Sequence, residues 1–171
     1  MDRPDMGRRG FLAIGAAMAA AGLLAGCGFH MRGNADFAFK RLYIGLPAGS
    51  LMGADLRRNI RNGSDTKVVE DKADADAFLD VLADTRGKSI LSITAQGVVR
   101  EFRLSQRFVF QLRDAAGKEL IPPSTLLLTR DLTYNEASTL AKAYEEEQLY
   151  RDMQKDVVQQ LMRRLAAVKT I

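Results

Sequence analysis

The chain has 171 residues, 25 of them Lys or Arg and 21 Asp or Glu, for a formal net charge of +4. That balance is mildly basic and does not by itself argue for nucleic acid as a partner. A single cysteine excludes an intrachain disulfide, and a single histidine excludes the common Cys/His metal spacings.

Arg8 and Arg9 precede a 15-residue uncharged apolar run, residues 11–25, and the run closes on Leu24-Ala25-Gly26-Cys27. A charged start, an apolar stretch of this length and small residues before a cleavage point form an export signal. A membrane-spanning helix needs about 20 apolar residues, and this run is shorter and rich in Gly and Ala. The cysteine just past the small residues is what a bacterial lipoprotein signal requires. Its thiol takes a diacylglycerol, cleavage exposes its amine, and the amine is acylated. The expectation is therefore that residues 1–26 are removed, that Cys27 is lipidated, and that residues 27–36 form a short tether. Each buried CH₂ contributes about 0.8 kcal/mol, so two or three acyl chains hold such a protein in a membrane. Gly28 follows the cysteine where an Asp would retain the protein at the inner membrane, which points to the outer membrane. The Arg8-Arg9 pair fits an ordinary charged start and a twin-arginine export signal alike.

Removal of the signal leaves 145 residues with 22 basic and 19 acidic side chains, enough for a single domain over residues 37–171. Residues 37–46 read as a first strand, with Leu42 and Ile44 in phase and Pro47 stopping it. Ser50 caps a helix over residues 51–61, with Leu56 and Ile60 on one stripe and Asn62-Gly63 ending it. An extended segment begins at Thr66, and the acidic residues 71–76 form a loop. Residues 77–94 read as one long strand with a bulge at Gly87, and Ala95-Gln96-Gly97 as a hairpin loop.

Residues 102–113 alternate most clearly. Phe102, Leu104, Phe108, Phe110 and Leu112 share one face with Gln106, while Arg103, Arg107 and Arg113 lie on the other. Residues 114–117 make a turn, and residues 125–134 form the last strand, with Pro122-Pro123 confining its start to an edge or a loop entry. Asn135 caps a final helix whose stripe runs Leu140, Tyr144, Leu149, Met153, Val157, Leu161, Leu165 and Val168. At 1.5 Å per residue such a helix is about 48 Å long, so it is kinked or overhangs the sheet. Glu145-Glu146-Glu147 and Arg163-Arg164 read as solvated charges near its two ends.

The order β-α-β-β-β-α predicts an α+β fold: a mixed four-stranded sheet with two helices packed on one face. The other face, with Arg103, Arg107 and Arg113, is left uncovered. No catalytic constellation, phosphate loop or metal spacing follows the signal, and His30 stands alone in the tether. The chain is read as neither an enzyme nor a cofactor carrier. A lipid-anchored hydrolase and a scaffold for some other envelope ligand are the alternatives.

Cys27-Gly28-Phe29-His30-Met31-Arg32-Gly33 resembles the mature start of the LptE family of lipopolysaccharide-assembly lipoproteins. The run from Arg100 to Leu104 is similar to that family's central strand. Leu140-Ala141-Lys142, Gln148 to Met153 and Gln160 to Leu165 are similar to its C-terminal helix. Met31 stands where Leu is usual, and no long polar tail follows the helix. The resemblance implies a plug inside the outer-membrane β-barrel LptD, in a 1:1 heterocomplex, that helps the barrel assemble and binds lipopolysaccharide. It also implies a lipopolysaccharide contact at Lys142. Strand phase and charge add Arg103, Arg107, Arg113 and Arg130 as candidate contacts, and Tyr134 and Tyr144 as residues able to meet sugar.

Overall fold

A computed structural model of the chain describes residues 36–170. The export signal, Cys27, His30 and residues 27–35 of the tether lie outside the described residues. Strands β1 (Arg41–Gly45), β2 (Lys67–Val69), β3 (Ala77–Ile93), β4 (Val99–Asp114) and β5 (Glu119–Thr133) form one sheet in the order β2-β1-β3-β4-β5. β1 is parallel to both β2 and β3, whereas β3, β4 and β5 form an antiparallel meander. The sheet is mixed and the fold α+β, as expected, but it has five strands rather than four. The added strand is Lys67–Val69, which pairs with residues 41–43 at the sheet edge. Three residues are too few to display a period, so only the pairing reveals it.

Helices α1 (Leu51–Gly63) and α2 (Thr139–Ala166) share one core with the sheet. Met52, Leu56 and Ile60 of α1 and Met153, Val157, Leu161 and Leu165 of α2 are all almost fully buried there. Burial of each such side chain is worth about 1.5–3 kcal/mol. The two helices also meet directly, Gln154 Nε2 donating to Asp55 Oδ2 at 2.6 Å. The Ser50 hydroxyl accepts from the Gly53 N–H at 3.1 Å and caps α1 as expected. The helix runs to Gly63, where the Ser64 hydroxyl donates to the Ile60 carbonyl at 2.8 Å and satisfies one of the terminal acceptors.

The bulge expected at Gly87 is not there. Gly87 pairs in register with Ser105, and the β3–β4 register shifts instead between Val81 and Ala83 and again between Ile90 and Ile93. Gly87 serves close approach: a Cβ there would lie 2.7 Å from Ser105 Oγ. Gly97, in the β3–β4 hairpin loop, and Gly117, in the β4–β5 turn, do adopt the left-handed backbone, with φ of 81° and 86°. β5 starts earlier than expected, at Glu119, and includes Pro122-Pro123 beside a shift in the β4–β5 register. It is an edge strand, where the missing N–H groups cost least.

Asn135 caps a 3₁₀ turn, Glu136–Ser138, rather than α2 itself, accepting from the Ala137 N–H at 2.9 Å. α2 then runs as one continuous helix of 28 residues, about 42 Å. Its buried residues begin only at Tyr150, while Leu140 and Tyr144 are 73% and 71% exposed. The first turns of α2 therefore extend past the core, where they run beside the β3–β4 hairpin.

Candidate ligand-binding surface

The period of β4 puts Arg103, Arg107 and Arg113 on the sheet face opposite the helices, and cross-strand neighbours decide what each can do. Arg103 faces Asp131 on β5 and grips it with two hydrogen bonds of 2.9 and 3.1 Å. Hydrogen bonding to Arg103 holds the Asp131 carboxyl below its ordinary pKa, and Asp131 in turn raises that of Arg103. Arg113 Nε donates to Asp80 Oδ2 at 2.7 Å, and Gln111 Nε2 donates to the same oxygen at 2.9 Å. Burial opposes ionisation of Asp80, but the bonds from Arg113 and Gln111 outweigh it and the carboxyl stays below its ordinary pKa. Arg107 lies between Thr85 and Leu127, and no carboxylate among the described residues pairs with it. Of the three it is the one with its charge unspent.

Arg130 and Lys142 belong to the other side. Arg130 pairs with the inward-facing Leu104, so it points toward the helices, where its Nη2 donates to Asp156 Oδ2 on α2 at 2.6 Å. Lys142 Nζ donates to Glu145 Oε2 at 2.8 Å, one turn along its own helix. The structure thus separates the five expected cations into an open-face trio and a helix-side pair, and pairs all but Arg107.

The contacts that sequence reasoning missed lie beside Lys142. Glu146 and Glu147 are not merely solvated: Lys88 Nζ donates to Glu146 at 2.6 Å and Arg86 to Glu147 at 3.4 Å. The Tyr150 hydroxyl donates to the Gly87 carbonyl at 2.8 Å, and the Arg86 guanidinium lies 4.8 Å from the centre of the Tyr150 ring. Arg86 and Lys88 sit on the same side of β3 as Ile90, an alternation that marks them as helix-facing once the register is known. Together these contacts form a clasp that holds the front of α2 against the hairpin.

Earlier residues of α2 pair with later residues of β3, so Leu140 and Tyr144 lie toward the hairpin tip. There Ile90, Ile93 and Val98 are 59%, 58% and 44% exposed. Tyr134 is half-buried, edge-on to Phe102 with ring centres 5.3 Å apart, and Lys88 Nζ lies 4.2 Å from the Phe102 ring centre. The result is an amphipathic tip: exposed aliphatic and aromatic groups interleaved with Lys88, Arg100 and Lys142. No cluster of three His, Cys, Asp or Glu among the described residues is placed to hold a metal ion.

Fold and surface define a class, an α+β domain with an open sheet face on which Arg107 alone of three arginines is unpaired among the described residues, and an amphipathic tip. The family model described as "LptE: Lipopolysaccharide-assembly" matches residues 39–165. The LPS-assembly lipoprotein LptE of Pectobacterium atrosepticum is 28% identical over 150 residues, covering 85% of this chain and 80% of that protein. The solution structure of an uncharacterized lipoprotein B from Nitrosomonas europaea is 43% identical, with a TM-score of 0.71 over 82% of this chain and 91% of that one. A minor lipoprotein from Acinetobacter baumannii is 26% identical, with a TM-score of 0.62 over 77% and 93%. The rare lipoprotein B of Shewanella oneidensis, 21% identical at a TM-score of 0.65 over 74% and 94%, shares the fold. The chain belongs to the LptE family, non-enzymatic lipopolysaccharide-assembly lipoproteins of the cell envelope.

Proposed function

We propose that residues 1–26 are cleaved, that Cys27 is acylated in the outer membrane, and that the folded domain occupies the lumen of the LptD β-barrel as a 1:1 plug. There it helps the barrel assemble and binds lipopolysaccharide on its way to the cell surface. The observation that carries the binding role is the amphipathic tip, where Lys142 shares a helix segment with exposed Leu140 and Tyr144. Lipid A joins phosphates to acyl chains, and such a tip offers a partner to each. The Lys142–Glu145 pair is an i,i+3 surface contact, worth about 0.3–0.5 kcal/mol, so a phosphate can take the place of Glu145. On the open face Arg107 is the first contact expected for a phosphate or a polar barrel wall. Arg103, Arg113 and Arg130 join only by exchanging their carboxylates, which favours a positioning role for them.

Two measurements test the reading. Full-length protein co-expressed with the LptD barrel and extracted in mild detergent should migrate as a 1:1 complex on gel filtration; elution alone rejects the plug. Lipopolysaccharide binding should weaken with salt and with Lys142→Glu. A titration indifferent to both rejects the binding role.

A further inference from the structure

We infer that a concavity of about 310 Å³ beside α1 is an anion site for a phosphate group, separate from the tip. Ala48, Ala54, Arg57, Arg58, Arg61 and Glu70 line it, three guanidiniums against one carboxylate. Arg58 is spoken for, since it donates to Asp55 at 2.9 Å. Arg61 is exposed and has no ion-pair or hydrogen-bond partner among the described residues.

Arg57 is the informative member. Its side chain is only 15% exposed, and its Nε is buried with no acceptor among the described residues at hydrogen-bond distance. Glu70 Oε1 comes no closer than 3.7 Å and is itself 80% exposed. The one acceptor Arg57 reaches is the Leu46 carbonyl, at 3.3 Å from Nη2. A guanidinium withdrawn from water and left this poorly satisfied is destabilising unless an anion completes it. Arg57 and Arg61 are also four residues apart on one helix, a spacing that sets like charges against each other.

The neighbouring residues keep this arrangement open. A Cβ on Gly53 would lie 2.9 Å from Arg57 Nη1 and 3.3 Å from Leu46 Cβ, so a larger residue there would push the end of the Arg57 side chain out of this position. Ala48 and Ala54 keep the mouth free of bulk. A tetrahedral oxyanion fits this set: the Arg57 and Arg61 guanidiniums both border the concavity and offer charge-assisted donors to it. Asp55, on the same helix, meets Gln154 of α2, and Lys142 lies twelve residues before Gln154, about 18 Å along the helix axis. The site therefore stands whether or not Lys142 contacts lipopolysaccharide. Its ligand is a phosphate monoester or diester, supplied by a lipid headgroup or by a soluble phosphate.

The test is NMR of arginine Nε–Hε groups in the full-length protein, held in an uncharged maltoside detergent. One titration uses inorganic phosphate and a second uses dihexanoyl phosphatidic acid. Saturable shifts at Arg57 and Arg61 are expected. Binding of inorganic phosphate identifies a soluble ligand, and binding confined to the phosphatidic acid identifies a headgroup. Arg61→Gln, at an exposed position that leaves the fold intact, should weaken binding about tenfold, the loss expected for one charged hydrogen bond. Glu70→Gln should tighten it by removing the competing carboxylate. The inference is overturned if Arg57 shifts no more than exposed Arg100 with either probe, or if Arg61→Gln leaves the affinity unchanged. It is equally overturned if Glu70→Gln lowers stability without tightening binding, because Glu70 is then the partner of Arg57.

Discussion

Replacing Tyr150 by Phe removes one oxygen and nothing else from the clasp between α2 and the β3–β4 hairpin. That hydroxyl donates to the Gly87 carbonyl at 2.8 Å, and such a bond contributes about 1 kcal/mol net. The two ion pairs of the clasp, Lys88–Glu146 and Arg86–Glu147, have partners 24–48% exposed and add about 0.2–1 kcal/mol each. Leu140 and Tyr144 bury little, so few other contacts hold the front of the helix. Tyr150→Phe should therefore lower urea stability by about 1 kcal/mol and speed amide exchange across residues 144–150 about fivefold. Tyr144→Phe, a change at an exposed ring, is the control and should do neither. Salt near 1 M should speed the same amides by screening the ion pairs. Burial and Glu146 raise the Tyr150 phenol above its ordinary pKa of 10.0. The unfolded chain then ionises first, so this contribution is whole below pH 10 and is lost as the pH rises past it. The reasoning fails if Tyr150→Phe and Tyr144→Phe are indistinguishable in both urea unfolding and hydrogen exchange.

Three further outcomes follow from the same geometry. Leu161→Ala, at a position with no exposed surface, should cost about 2–5 kcal/mol in urea unfolding, whereas Leu140→Ala should change stability by less than about 0.5 kcal/mol. Asp80 has a lowered pKa in the fold, so its stabilisation is present above the ordinary carboxylate value and is lost as the pH falls through the folded value. Asp80→Asn should consequently flatten the loss of stability below about pH 4, measured as unfolding midpoint against pH. Asp131→Asn should release Arg103 and leave two unspent guanidiniums on the open face; tighter lipopolysaccharide binding at low salt is the readout, and an unchanged titration argues against that face as a contact.

Much of the architecture could be read locally. The alternation in β4, the Ser50 cap and Gly97 in its hairpin are each set by near neighbours, and each lies where the pattern places it. The apolar stripe of α2 holds only from Met153 to Leu165, because its expected start, Leu140 and Tyr144, lies exposed beyond the core. The bulge was misplaced because a glycine in a strand marks either a register shift or a close approach, and only the Ser105 side chain opposite Gly87 decides between them. The site was harder to read than the fold. Five cations look alike in a string of letters, yet four of them meet carboxylates that are 3 to 33 positions away in the chain.

What the sequence alone determined is therefore the periodic part: the two helices and the four longer strands in their order, the inward face of β4, and the three arginines on its outer face. These follow from backbone geometry, which repeats every 2 or 3.6 residues and needs no knowledge of distant neighbours. Tertiary structure decided which charges remain free, which face Arg130 takes, where α2 leaves the core, and that Gly53 makes room for a half-satisfied Arg57. Those depend on pairing register and on side chains brought together across the fold. A charge is neutralised, and an apolar residue buried, only by what packs against it.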